Sequence, residues 1–257
     1  MKIYIMTDLE GLSGVEYANY IPEESPFFQD ARRYLMGDVN AAIAGCFDAG
    51  ADQVVVKDGH YRGVNFILDR LDPRAVQDFA APQWTGVLDE SFDATMMIGQ
   101  HAMAGTLDGF LCHTMSSKSW WEYSINDRPH GELGMWATIA GHYDVPLIFV
   151  SGDRAACDEA AQFIEGITTV SVKQGRGRQK ALCTPVTQAQ AEIREGAKQA
   201  VKNIGNVKPY KIDLPATVQL IYQRAEMADD AASRPEVERV DARTIRRTAA
   251  SALDIML

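Results

Sequence analysis

The sequence contains few cysteines and has no long apolar run. Its four cysteines lie far apart and form no Cys-x-x-Cys pair, so neither a structural zinc knot nor a disulfide framework is indicated. No apolar stretch approaches the ~20 residues that span a bilayer. The apolar start over residues 1–6 runs straight into charged residues and is too short for the core of a signal peptide. We therefore expect a cytoplasmic protein.

Positive charge is also scarce, because 35 acidic residues outnumber 25 basic ones and give a formal net charge of −10. A surface of this sign does not attract nucleic acid or anionic lipid, so we expect neither as a partner. Small ligands and protein subunits remain as partners. A hydrophobic content of 46% over 257 residues is enough for a sizeable buried core.

Apolar runs alternate with segments of helical spacing along most of the chain. Residues 1–7 are an apolar run, residues 29–49 show helical spacing, and residues 53–57 are a β-branched run. This order predicts a βαβ unit, whose two strands are parallel. Later apolar runs extend the pattern and predict an α/β fold with an open, largely parallel central sheet and flanking helices. These later runs cover residues 94–98, 146–151 and 168–172.

Side chains that can bind metal follow several of these predicted strands. Asp8 and Glu10 close the first run, His60 follows the second, and His101 follows the run over residues 94–98. Because parallel strands end at one edge of the sheet, we expect these four side chains to converge there. Glu132 lies in the first turn of a predicted helix, where a carboxylate also suits the helix dipole.

Imidazole and carboxylate together form a ligand set that zinc accepts readily. The spacings nevertheless match no short zinc signature such as His-Glu-x-x-His. Solvated loop charges and core histidines therefore remain alternatives on spacing alone. His113 follows a further apolar run over residues 109–112 and is also compatible with an inward-facing strand residue. Asp153 is predicted to cap the helix that follows it.

Several stretches of the first part of the chain resemble the zinc-dependent D-aminopeptidases. The matching stretches are Asp8-Leu-Glu-Gly-Leu-Ser-Gly14, Val56-Lys-Asp-Gly-His60, Ile98-Gly-Gln-His-Ala102, His113-Thr-Met115 and Ile125-Asn-Asp-Arg-Pro-His-Gly-Glu-Leu-Gly134. The resemblance implies two zinc ions per subunit and a catalytic role for His113. It assigns the zinc ligands to five residues, called the ligand set below: Asp8, Glu10, His60, His101 and Glu132.

The same resemblance implies a reaction and an assembly. It implies an aminopeptidase that removes N-terminal, D-configured amino acids from short peptides or aminoacyl amides, through a metal-activated water assisted by His113. It also implies a ring-shaped homo-oligomer, and we interpret Phe110, Trp120 and Trp121 as part of an apolar contact surface. We predict residues 1–180 to form a metal-binding catalytic α/β domain and residues 181–257 a smaller C-terminal α/β subdomain.

Two other classes of function remain open. Asp8-Leu-Glu10-Gly11 is close to the Asp-x-Asp-Gly opening of haloacid-dehalogenase-like phosphatases, which would imply Mg²⁺ and an aspartyl-phosphate, although Leu12 stands where a hydroxyl is expected. A non-catalytic metal-binding scaffold is the other class, and a position of His113 away from the ligand set would favour it. The basic, glycine-rich segment over residues 174–180 lacks a phosphate-binding fingerprint, and we interpret it as a solvated loop.

Overall fold

A computed structural model describes residues 1–79 and 84–257, and it contains two β-sheets. In chain order, the strands of the described residues are β1 (Lys2–Thr7), β2 (Gln53–Asp58), β3 (Val76–Gln77), β4 (Ala94–Gln100), β5 (Trp120–Ile125), β6 (Arg128–Pro129), β7 (Leu147–Asp153), β8 (Thr168–Gly175), β9 (Ala181–Cys183), β10 (Ala216–Tyr222), β11 (Glu238–Arg239) and β12 (Thr244–Ala249). The α-helices are α1 (Phe28–Asp48), α2 (Glu132–His142), α3 (Arg154–Phe163), α4 (Val186–Lys202) and α5 (Ala225–Ala231).

The larger sheet has seven strands in the order β3-β2-β1-β4-β7-β8-β9. All neighbours in it are parallel except β8 and β9, which are antiparallel. Helices cover both faces, as two adjacent residues of β4 demonstrate, because successive side chains of a strand point to opposite faces. Thr95 accepts a hydrogen bond from Trp136 of α2, whereas Met96 contacts Cys46 of α1. The predicted open, largely parallel sheet with flanking helices is confirmed.

The smaller sheet is antiparallel, with five strands in the order β11-β12-β10-β5-β6. Its apolar side chains form a second core that includes Met135 and Ile139 of α2. Leu133, Trp136 and Ala140 of the same helix belong to the core of the larger sheet. Helix α2 is therefore buried between the two sheets, which fixes the position of its first residue, Glu132.

The chain does not pass from one sheet to the other at residue 180. Strand β9 and helix α4 follow that position, yet β9 pairs with β8 and α4 packs against α1 beside the larger sheet. Strands β5 and β6 precede it and belong to the smaller sheet. The division into domains at residues 1–180 and 181–257 stays a prediction, while the two sheets draw on both parts of the chain.

One predicted strand near the site is absent from the described residues. Residues 109–112 form an irregular segment, because Asp108 and Leu111 on either side of Gly109 have positive φ angles of 54° and 51°. Such left-handed residues cannot continue a strand. None of the described helices is long and apolar enough to cross a membrane.

Candidate metal centre

Three neighbouring strands of the larger sheet deliver four members of the ligand set. In the sheet register, Thr7 at the end of β1 lies beside Asp58 of β2 and Ile98 of β4. The residues that follow these positions leave the sheet at the same edge. Asp8 and Glu10 follow β1, His60 follows β2 and His101 follows β4, so the predicted convergence is what the fold produces.

Two glycines let the chain after β1 touch the end of β4. The Gly11 N–H donates to the Gly99 carbonyl at 2.7 Å, and a Cβ on Gly11 would lie 2.1 Å from the Gln100 carbonyl oxygen. Gly99 has a φ of +79°, and a Cβ there would lie 2.3 Å from the Asp8 carbonyl oxygen. Any side chain at either position would push the Asp8 loop away from His101.

The fifth member of the ligand set comes from the helix between the two sheets. Gly131 precedes α2 in an extended conformation, and Glu132 is the first residue of the helix. Its Oε1 accepts a hydrogen bond of 2.7 Å from the Met115 N–H. The same oxygen lies 3.4 Å from His101 Nε2, which brings the helix start to the strand ends.

The five side chains of the ligand set and that of His113 form two adjoining groups of potential metal ligands. Donor atoms of Asp8, Glu10 and His60 lie within 4.8 Å of one another, and those of Glu132, His101 and His113 do so too. Asp8 joins the groups, because its Oδ2 lies 3.3 Å from His101 Nε2. Within the first group, Glu10 Oε1 lies 3.4 Å from His60 Nε2.

Several buried atoms of the ligand set make no well-aligned hydrogen bond to any of the residues that the structure describes. They are Asp8 Oδ2, Glu10 Oε2, His60 Nδ1 and His101 Nε2. Burial, together with the nearby charge of Glu10, raises the pKa of Asp8 well above its usual value. Burying polar atoms without partners is costly, and a cation that these atoms ligate would offset the cost. The donor set therefore fits a metal ion.

His113 lies beside the ligand set and packs against it. Its ring stacks on the His101 ring, with 4.0 Å between centroids and 14° between planes. Nδ1 of His113 donates to the Leu111 carbonyl at 2.8 Å, which leaves a lone pair on Nε2, 3.7 Å from Glu132 Oε1. Burial, and then the neighbouring His101, lowers the pKa of His113. A neutral imidazole in this position can accept a proton.

Sequence patterns did not predict the contacts of two charged residues near the site, Asp153 and Lys173. Asp153 makes no cap for α3 and instead accepts hydrogen bonds from the Phe110 N–H at 2.8 Å and the Gly175 N–H at 3.1 Å. Phe110 is consequently buried and is not part of an apolar surface.

Lys173, at the end of the β8 run, is the second such residue, and burial lowers its pKa to about 8. A lysine that ends an apolar strand run was the available signal for this residue.

The basic segment over residues 174–180 packs against the loop that carries His113. The Leu111 N–H donates to the Arg178 carbonyl at 2.9 Å, and Arg178 Nε donates to the Cys112 carbonyl at 3.2 Å. Gly175 approaches the same loop so closely that a Cβ on it would lie 1.9 Å from the Asp108 carbonyl oxygen. The segment, interpreted from sequence as a solvated loop, is exposed in part and also holds residues 108–112.

The strand ends of a parallel sheet, the start of α2 and the loop of His113 together gather three carboxylates and three imidazoles, an arrangement typical of metal-dependent hydrolases. The family model of the M55 peptidases, described as D-aminopeptidase, matches residues 1–257, and the chain belongs to this family. It is accordingly a peptidase, and the phosphatase and scaffold alternatives are not retained.

Two relatives document the similarity. A D-aminopeptidase from Bacillus subtilis (strain 168) is 34% identical over 215 residues, which cover 81% of this chain and 77% of the relative. A solved structure is that of the "Zn-dependent D-aminopeptidase DppA from Bacillus subtilis, a self-compartmentalizing protease". It is 30% identical, covers 99% of this chain and 94% of its own, and superposes with a TM-score of 0.95.

Proposed function

We propose that this chain is a zinc-dependent aminopeptidase that removes N-terminal amino acids, D-configured ones in particular, from short peptides or aminoacyl amides. The observation that carries the proposal is the convergence of the ligand set, whose buried Oδ2 of Asp8 and Nε2 of His101 lie 3.3 Å apart and make no well-aligned hydrogen bond within residues 1–79 and 84–257. The zinc dependence and the D-aminopeptidase activity of the relatives support the choice of metal and substrate.

The ligand set suits two zinc ions per subunit. Asp8 lies between the two groups of donors and is the residue we assign to both ions. Glu10 and His60 would complete one position, and His101 and Glu132 the other. Two Zn²⁺ ions carry four positive charges against three carboxylates, so the site comes close to electrical balance. When bound, zinc supplies a Lewis acid that polarises a carbonyl and lowers the pKa of water.

His113 is the group that we assign to proton transfer. Its hydrogen bond to Leu111 orients the ring and leaves Nε2 free towards the ligand set. Nε2 can accept the proton of the attacking water and then give it to the nitrogen of the leaving amine. Direct attack by Nε2 on the substrate carbonyl is the other chemistry open to this atom.

We further propose a ring-shaped homo-oligomer in the cytoplasm, with the active sites facing an inner space. Support comes from the relative that is named a self-compartmentalizing protease. A closed ring forms when a heterologous contact repeats around a symmetry axis. Short peptides would be the natural substrates of an enclosed site, because a folded protein would not enter it.

Metal analysis combined with a stereochemical comparison tests the function. Protein purified without added metal should contain zinc, and it should hydrolyse D-aminoacyl amides faster than their L-enantiomers. A chelator should abolish both the metal content and the turnover, and added zinc should restore them. Metal-free protein with full activity would contradict the zinc proposal, and a clear preference for L-substrates would contradict the stereochemical one.

Substitution of single ligands tests the assignment of Asp8. Asp8→Ala should lose both equivalents of zinc, because Asp8 joins the two groups of donors. Glu10→Ala, the matched variant with a ligand of only one group, should retain more zinc than Asp8→Ala. Elemental analysis after exhaustive dialysis gives both numbers. Retention of two equivalents in Asp8→Ala would exclude a shared role for this carboxylate.

A further inference from the structure

Lys173 is a buried cation beneath the ligand set, with an exposed fraction of 2%. Buried lysines are rare unless their charge is matched by good partners. Nζ donates to the Glu10 carbonyl at 2.7 Å and to the Val15 carbonyl at 2.5 Å. The same Nζ lies 4.6 Å from the centroid of the Phe110 ring, within the range of a cation–π contact.

Both acceptors belong to the loop that carries the first two metal ligands. This loop over residues 8–15 follows β1 and includes the buried side chains of Leu9 and Leu12. One of the two carbonyls that Lys173 holds is that of Glu10 itself. The hydrogen bond therefore acts on the backbone from which a proposed metal ligand projects.

An ionised donor suits this position better than a neutral one would. Hydrogen bonds from a charged group are about twice as strong as those between neutral groups. The contact reaches across the fold, because Lys173 comes from β8 whereas Glu10 and Val15 follow β1. The two strands are not neighbours in the sheet, so no backbone pairing between β1 and β8 holds the loop in place.

We propose that Lys173 is a positioning residue of the metal centre, whose ammonium fixes the loop over residues 8–15 so that Asp8 and Glu10 meet the metal in one geometry. The inference rests on the proposed function, since it assigns Lys173 a role towards bound zinc. Removal of a group that orients a metal ligand typically lowers metal affinity or activity 10- to 100-fold. The loss expected here is of that order.

Lys173→Ala tests the role with two measurements that do not require turnover. Competition with a chromogenic chelator should show a zinc affinity about 10- to 100-fold below that of the parent. Amide hydrogen exchange of residues 8–15 in metal-free protein should be faster than in the parent, because the Glu10 and Val15 carbonyls have lost the ammonium donor and only the weak Cys183 thiol contact to Val15 remains. Unchanged affinity together with unchanged exchange would overturn the proposal.

Chemical rescue separates the loss of a cation from the loss of volume. The n-propylammonium ion contains the atoms that Lys173→Ala removes. Lys173 lines a cavity of about 320 Å³ together with Ser171 and Leu182, and we expect the ion to reach the vacated position from this cavity. Added n-propylammonium should restore zinc affinity, whereas 1-propanol, which lacks the charge, should not. Equal restoration by 1-propanol would overturn the requirement for an ammonium.

Lys173→Met and Lys57→Met complete the design. Lys173→Met keeps most of the side-chain volume but removes the N–H donors, so it should fold and should bind zinc more weakly than the parent. This variant keeps the proposal testable if Lys173→Ala does not fold. Lys57 of β2 is a second buried lysine of the same sheet, with an exposed fraction of 5%, and its variant should retain the parent affinity. Equal losses in Lys173→Met and Lys57→Met would overturn a specific role for Lys173.

Zinc binding by the parent protein distinguishes a failure of the proposed function from a failure of the positioning role of Lys173. A parent that binds no zinc contradicts the proposed function. The exchange measurement on metal-free protein still reports whether Lys173 holds the loop. A parent that binds zinc, together with a Lys173→Met variant that binds it equally well, contradicts only the positioning role.

Discussion

His101 and His113 stack ring on ring, yet their surroundings prepare them for different tasks. In both, Nδ1 donates to a backbone carbonyl, that of Ala102 for His101 and that of Leu111 for His113. Nε2 of His101 faces the carboxylates of Asp8 and Glu132 at 3.3 and 3.4 Å. Nε2 of His113 lies further from Glu132, at 3.7 Å. We therefore expect the first ring to bind metal and the second to exchange protons beside it.

His113→Ala should greatly reduce turnover while leaving zinc content and the circular dichroism spectrum unchanged. Loss of a general acid and base costs on the order of 10²- to 10⁴-fold in rate, and loss of a nucleophile costs more. Steady-state kinetics on a D-aminoacyl amide, with elemental analysis of the same sample, provide the measurement.

His142→Ala is the control for that experiment. His142 is exposed in the last turn of α2 and has no contact with the ligand set in the described structure. Its substitution should cost little turnover. Equal losses in the two variants would show that the catalytic role belongs to a different residue, and a loss of zinc in His113→Ala would make His113 a metal ligand.

At the scale of elements, the loop that carries His113 is shaped by contacts from three directions. Asp108, Leu111 and Met115 all have positive φ angles, of 54°, 51° and 57°. Non-glycine residues adopt this conformation only where surrounding contacts hold them in it. Asp153 at the end of β7 and Arg178 supply two of these contacts. The third is the hydrogen bond from Met115 to Glu132.

Asp153→Ala should lower both the free energy of unfolding and the turnover rate. The variant leaves the N–H groups of Phe110 and Gly175 buried without an acceptor, at a cost of roughly 1–3 kcal/mol each. The His113 loop loses its support at the same time. Urea unfolding and steady-state kinetics measure the two effects.

Asp158→Ala is the matched control in the same helical region. Asp158 is exposed in α3 and pairs with Arg154 on the surface, where an ion pair contributes about 0–1 kcal/mol. Its variant should unfold like the parent and turn over at the parent rate. If Asp153→Ala also behaves like the parent, Asp153 does not support the loop.

Local patterns predicted the strand ends and the helix start, and they predicted the convergence of the ligand set. That was achievable because Asp8, His60 and His101 each lie within three residues of the end of an apolar run, and parallel strands share an edge. The conformation of residues 108–115 was not predictable, since it depends on partners as distant as Asp153 and Arg178. The apolar composition of residues 109–112 is as typical of a buried loop as it is of a strand.

The same limit explains Lys173. A lysine after the apolar run of β8 is ordinarily read as the exposed end of a strand. Its actual partners are carbonyls 158 and 163 residues earlier in the chain. The sequence does not indicate which backbone carbonyls will accept such a hydrogen bond, because every residue has one. Buried charges that bind backbone are therefore found only in the folded structure.

At the scale of the whole molecule, the proposed assembly makes a prediction about mass in solution. We expect a closed homo-oligomer, and light scattering at micromolar concentration should give a mass that is a multiple of the 28.3 kDa chain. Trp121, of which 50% is exposed, is available for such a contact, whereas Phe110 is buried and is not. A monomer mass at that concentration would contradict the prediction.

The path of the chain through the smaller sheet has a consequence for biosynthesis. All six site residues are translated once the ribosome has passed Glu132, but β5, which is separated from α2 only by the short strand β6, pairs with β10 at Ala216–Tyr222. A nascent chain thus carries a complete set of donors long before it can close the sheet that holds α2 in place. We therefore expect metal loading, and with it peptide cleavage, to wait until β10 has been synthesised and has joined β5.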